Sequence, residues 1–155
     1  MASLALSSVR RRLRANRGAE LVEFALVLPI LLLVLAGILD MGFLFKDYEV
    51  VTNAAREGAR MASLPGWVQS DVVARINNYL AAGGLQGSAT TRIENVTLVT
   101  NVTTGRTITG VRVTVEFPHT YMILGPISQL VQGTAVPNTT LRAVATMRTE
   151  AAAGL

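Results

Sequence analysis

The sequence has no cysteine. That excludes a disulfide framework, a thiolate metal site, a cysteine nucleophile and a lipid anchor on cysteine. Histidine is nearly absent too: His119 is the only one. With no carboxylate cluster close to it in sequence, neither a metal centre nor a Ser-His-Asp arrangement is expected, and it reads as a loop residue. Phosphate cradles are missing, because GRTITG and LAAGGLQG have neither the spacing nor the strand-to-helix setting. The three N-x-T sequons, at Asn95, Asn101 and Asn138, arise easily in a Thr-rich stretch and read as turn and surface residues. No catalytic constellation emerges, so the chain reads as a non-enzyme without a cofactor. Charge is also scarce, 15% of the residues, where about 25% is usual in a soluble domain.

The charge that is there is unevenly placed. Residues 1–18 hold five arginines (Arg10, Arg11, Arg12, Arg14, Arg17) and no acid. The rest of the chain has nine basic and ten acidic residues, which leaves it near −1. The net charge of +4 therefore belongs to one end of the chain. No basic face with interleaved aromatics occurs elsewhere, so no nucleic-acid partner is expected. A basic N-terminal tail before an apolar run is topogenic and keeps its side of the membrane cytoplasmic.

What is abundant is apolar surface in one run. Phe24–Leu39 is sixteen residues without a charge, and Met41–Phe45 extend it past Asp40. The 22 residues Phe24–Phe45 make about 33 Å of helix, against a hydrocarbon core of about 30 Å. The reading is a membrane span, with lipid as a partner. Pro29 lies inside it and removes the N–H that would bond the Ala25 carbonyl, so a kink is expected there. Asp40 is read as marking the outer interface of the bilayer, with pairing to a partner helix as the other option. Three regions follow: a basic cytoplasmic leader at 1–18, the transmembrane half of a long helix at 19–45, and an extracytoplasmic domain at 46–155.

In that third region the helix is expected to continue to about Ser63. Val51, Ala55, Gly58 and Ala62 fall on one side of it, while Lys46, Glu49, Asn53, Arg56 and Arg60 can face water. Pro65-Gly66 stops it. Ser70–Ala82 reads as a short amphipathic helix with Ser70 as N-cap and a stripe of Val72 or Val73, Ile76 and Leu80. The period then changes. Thr91–Val102 and Ile108–Phe117 alternate as strands around a turn at Thr103–Arg106, and Thr139–Glu150 alternates as a third strand. Between them lie an apolar patch at Tyr121–Leu124, read as a buried loop anchor, and a helical turn at Ile127–Val131. Residues 151–155 read as a frayed end. The fold class is α+β: a long N-terminal helix, transmembrane in its first half, packed on a small antiparallel sheet of about three strands, with one short extra helix.

The stretch RGAELVEFALVLPILLLVLAG, followed at the right distance by NAAREGARMA and closed by the M-R-T-E of Met147–Glu150, resembles the TadE-like family, minor pilins or pseudopilins of tight-adherence (Flp-type) pili. The resemblance is strongest over Arg17–Ala62. It implies a type IV pilin-like fold and cleavage by a prepilin peptidase after a glycine, here between Gly18 and Ala19. It also implies that Glu23 is the fifth residue of the mature chain, where prepilins carry a glutamate used in subunit assembly; Glu20 is the second. The new amine falls on Ala19 rather than on the Phe or Met of many pilins. Other pilins or pseudopilins and the inner-membrane assembly platform are the implied partners, and the surface pilus is a possible destination. Against this, Glu20 and Glu23 can be read simply as acids that favour a helix N-terminus by about 0.3–1 kcal/mol.

Two other readings compete. One is an uncleaved single-pass inner-membrane scaffold with a periplasmic partner-binding domain. The other is a secreted domain behind an ordinary signal peptide cut near Val34-Leu35-Ala36, a site that the apolar run continues beyond.

Overall fold

The structure, a computed structural model, describes residues 2–87, 89–101 and 105–149, the side chains of 2–17, 99–101 and 106 excepted. The leader arginine side chains, Thr103 and Thr104 of the expected turn, Glu150 and residues 151–155 lie outside the described residues.

One helix dominates. α1 runs from Ala2 to Ala62, 61 residues. The long helix expected from Ala19 is present, and its helical backbone also reaches back through the leader. The leader has no Gly or Pro before residue 18 and is rich in Ala, Leu and Arg, all good helix formers. A lone glycine at 18 costs about 1 kcal/mol in a helix interior, too little to end one. The helix also continues through Pro29 without a break. It ends where Pro65-Gly66 demands, with Leu64 N–H reaching back to the Met61 carbonyl (3.3 Å) and Gly66 at φ 76°.

α2 spans Gln69–Ala82. Its N-cap is Val68, in extended conformation, and not Ser70. The Val68 carbonyl takes the N–H groups of Asp71 (3.1 Å) and Val72 (3.3 Å), so the turn closes two residues earlier, while the Ser70 hydroxyl rests on Asp71. Val72, Ile76 and Leu80 are its buried stripe.

Strands β1 (Thr90–Asn101), β2 (Arg106–His119) and β3 (Thr139–Arg148) form one antiparallel sheet in the order β1-β2-β3. Asn95 lies inside β1 opposite Val111, not in a turn. Alternation puts Val111, Val113, Val115 and Phe117 of β2 and Leu141, Ala143 and Ala145 of β3 on the buried face. That face and α2 enclose the second half of α1, so the core lies between helix and sheet. β2 continues two residues past the expected end, through Pro118 to His119. Its pairing with β1 stops at Glu116, so one side of β2 is open where proline lacks a donor.

A third helix, α3 (Leu124–Gln132), replaces the expected single turn. Gly133 closes it in the left-handed region, φ 72°. Among the described residues α2 and α3 are thus the short helices beside α1.

Candidate functional site

Three groups of residues along α1 carry the features that the sequence singles out. The first is the junction at Gly18–Phe24. Gly18, Ala19, Glu20 and Glu23 are all exposed on the helix. A Cβ on Gly18 meets nothing within 4 Å among the described residues, so no packing there requires glycine. The backbone at Gly18–Ala19 is helical, whereas an extended one would suit a protease. Glu20 and Glu23 stand five turns inside α1, so the dipole of the intact helix offers them nothing. They would belong to a first turn only if the helix began near Ala19.

The second group is the apolar run. Leu21, Phe24, Leu26, Ile30, Leu31 and Ile38 are among many large apolar side chains left uncovered. α1 is long and apolar enough to cross a membrane, and almost none of that stretch is buried by the protein. A contiguous apolar surface of this size is not tolerated in water. Within it, Ala36 and Asp40 are buried, one turn apart on one face. Asp40 is only 1% exposed. Its carboxylate turns inward, onto the backbone of residues 122–124 of its own chain. Its Oδ1 accepts the N–H of Met122 (3.1 Å) and of Ile123 (3.1 Å), and its Oδ2 accepts that of Leu124 (2.7 Å). The carboxylate thus satisfies the orphan donors at the α3 N-terminus and meets the positive end of its dipole. Pro126, in the first turn, needs no acceptor. Nothing local signals this contact, since it joins residues more than 80 positions apart.

The third group is N-A-A-R-E-G-A-R, Asn53–Arg60. Val51, Ala54, Ala55, Ala59 and Ala62 are fully or almost fully buried, and the sequence pattern missed only Ala54 and Ala59. Small side chains bring helix and sheet close. A Cβ on Gly58 would fall 2.6 Å from Ile76 Cδ1 and 2.8 Å from its Cγ1. Glu57 is the hub of the polar edge. It accepts from Arg60 Nη2 (2.8 Å) and Nε (2.9 Å) on its own helix, and from Arg75 Nη2 (3.0 Å) on α2. Chiefly the Arg60 hydrogen bonds, opposed by burial and helped by Arg75, hold the Glu57 carboxyl at about 2. The same contact raises Arg60.

The depressed value makes a pH signature. A carboxyl whose folded value lies below its ordinary 4.5 stabilises above that value and loses its contribution as pH falls toward 2. Both arginines are largely in water, so the contribution is about 1 kcal/mol. Glu57→Gln is expected to lower the melting temperature at pH 7 and to flatten its fall between pH 4.5 and 2. Thermal unfolding of the detergent-solubilised chain across that range checks it; parallel curves for the two proteins would contradict it.

His119 is no loop residue. It ends β2 on the inward side, 3% exposed. Its Nδ1 donates to Asp47 Oδ2 on α1 (2.9 Å), and its ring meets Tyr121 edge-on at 5.4 Å. Tyr121 in turn bonds Thr139 (2.8 Å), so this part of the apolar patch is a polar anchor, while Met122 is exposed. A cleft of about 500 Å³ opens beside this pair, lined also by Phe117, Met122 and Asn138. The Asp47–His119 bond ties α1 to the sheet. The alternation of β2 (111, 113, 115, 117) extends to 119 and was the signal for its burial; Pro118 masked it.

Residues 18–60 match the family model described as TadE-like protein. Over those residues the chain is TadE-like. That match spans the junction, the apolar run and the small-residue motif, and it associates the chain with the Tad pilus system. No curated protein and no solved structure gives a match to the chain. The TadE-like segment is therefore one rod with two faces in succession: an uncovered apolar half, and a small-residue half that carries the folded domain.

Proposed function

We propose that the chain is a minor pilin or pseudopilin of a tight-adherence pilus, and that its role is structural rather than enzymatic. In this reading α1 holds it in the inner membrane with the leader in the cytoplasm and the sheet domain outside. Prepilin peptidase cuts Gly18–Ala19, and the mature chain packs through α1 against other pilins or pseudopilins at the assembly platform. One observation carries the reading: the TadE-like match covers a single unbroken helix whose apolar half is left without protein cover. Two others support it. Glycine at 18 answers no packing need among the described residues. Glu20 and Glu23 gain a helix N-terminus only after the cut, when Glu23 can pair with the Ala19 amine of a neighbouring subunit and offset the roughly 2–3 kcal/mol of a carboxylate moved unpaired into lipid.

The helical state of the Gly18–Ala19 bond favours a second reading, an uncleaved single-pass scaffold of the same machinery. N-terminal sequencing of the protein from its host separates them. A chain beginning at Ala19 is expected; an intact leader supports the scaffold, and a start near Gly37 supports secretion behind a signal peptide. Gly18→Leu is expected to leave the precursor uncut with its fold intact, because the new side chain has open space. Cutting at the same bond in that variant would refute the assignment. Glu23→Gln is expected to be cut normally and yet be lost from sheared pili; normal incorporation removes Glu23 from assembly.

A further inference from the structure

α3 leaves an apolar face without cover. Leu130 is 88% exposed and Val131 74%, and Met122, just before the helix, is 66% exposed. Ile127 is also exposed. The helix LGPISQLVQ has no charged residue. On an ordinary surface, away from a membrane, such a cluster would be a liability.

The position of α3 along α1 gives the face a setting. The Asp40 carboxylate holds the backbone of 122–124. Asp40 lies five residues before Phe45, the end of the apolar run, which is about 8 Å along the helix axis. Ala36, a turn deeper on the same face, is buried as well. The start of α3 is therefore level with the last part of the apolar run, not beyond it. At that level α1 itself turns Ile38, Leu39, Met41 and Phe45 outward. α3 and α1 thus both leave large apolar side chains uncovered near one level of the rod.

We propose that α3 lies in the outer membrane–water interface of the bilayer that α1 crosses, with Met122, Ile127, Leu130 and Val131 in contact with lipid. The occupant of the face is lipid, because the face adjoins the apolar surface of the span and offers no charge to a protein partner. An interfacial helix buries its apolar side by about 5–10 Å, and here apolar contact alone supplies the affinity. Asp40 makes the depth tolerable: its charge is enclosed and answered by backbone N–H groups, so neither it nor the α3 N-terminus meets hydrocarbon unsatisfied. The inference rests on reading α1 as a membrane span.

The absence of cysteine permits a clean test. Leu32→Cys, Leu130→Cys, Val131→Cys and Val144→Cys are each labelled with an environment-sensitive fluorophore in the full chain. The chains are reconstituted in phosphatidylcholine–phosphatidylglycerol vesicles carrying brominated acyl chains. Val144, on the outer face of β3, is the aqueous reference. The labels at 130 and 131 are expected to be blue-shifted and quenched within about twofold of the label at 32, as for an interfacial helix, while the label at 144 is not quenched. If the label at 32 is quenched and those at 130 and 131 behave like 144, the α3 proposal falls and the span stands. If the label at 32 is not quenched, the span and the proposal fall together. A blue shift at 130 without quenching, reversed by diluting protein in lipid, assigns the face to a second copy and overturns lipid as the occupant.

Discussion

Asp40→Ala is expected to detach α3 from α1, at a cost of about 3 kcal/mol. The carboxylate takes three backbone N–H groups, and it is itself almost fully buried. Hydrogen bonds to a charged group contribute about 1.5–3 kcal/mol each, but three on one carboxylate do not add. Removing it leaves the donors of 122–124 without acceptors and the α3 dipole without its anion. Asn can still accept one or two of these bonds, without the charge, so Asp40→Asn is expected to lose roughly half as much. The readout is local. Amide hydrogen exchange across 121–136 is expected to accelerate by about 100-fold in Asp40→Ala, while β2 and β3 keep their protection. Unchanged exchange in that segment would show that other contacts hold α3.

Gly58→Leu is expected to be as costly, for the opposite reason: it adds atoms where none fit. A Cβ alone would fall 2.6 Å from Ile76 Cδ1 and 3.4 Å from Val113 Cγ1. Ile76 and Val113 are fully buried, so neither can swing aside into solvent. Overpacking of a closed core costs about 1–3 kcal/mol, and a leucine placed between a helix and a sheet belongs at the upper end. Gly58→Ala is milder, because a helix gain of about 1 kcal/mol offsets part of the clash. The single tryptophan, Trp67, packs against the core at the α1–α2 junction and reports on the displacement. Its emission is expected to shift red in the leucine variant, with a lowered melting temperature. A melting temperature equal to that of the parent chain would mean that α2 moves freely.

The elements that sequence reasoning placed well are those whose signal is local. The 3.6-residue spacing of Val51, Ala55, Gly58 and Ala62 marked the buried side of α1, and the twofold alternation of β2 and β3 marked the inward face of the sheet. Glu20, Glu23 and Gly18 stand out in the sequence as charge and glycine beside an apolar run. What escaped was set by partners far along the chain. Asp40 reads as a lone charge in an apolar run until α3 is folded against it, and α3 itself is too short and too proline-marked to announce itself. Glu57 carries no local signal of its role beyond Arg60, because Arg75, which completes its site, lies 18 residues on. Val68 won the cap of α2 over Ser70 by backbone conformation, which residue preference does not reveal.

The unbroken course of α1 has a mechanical consequence. A helix of 61 residues is a rod of about 90 Å, stiff along its axis because every turn is tied to the next. A pull applied near Glu23 reaches the Asp47–His119 bond and the small-residue motif without slack, for no loop intervenes to absorb it. The Asp40 contact lies ahead of these on the load path. Its bonds to 122–124 join two elements side by side, so an axial pull loads them in shear and in parallel, a geometry that resists more force than bonds opened one by one. Whatever pulls on α1 along its axis therefore pulls α3 with it.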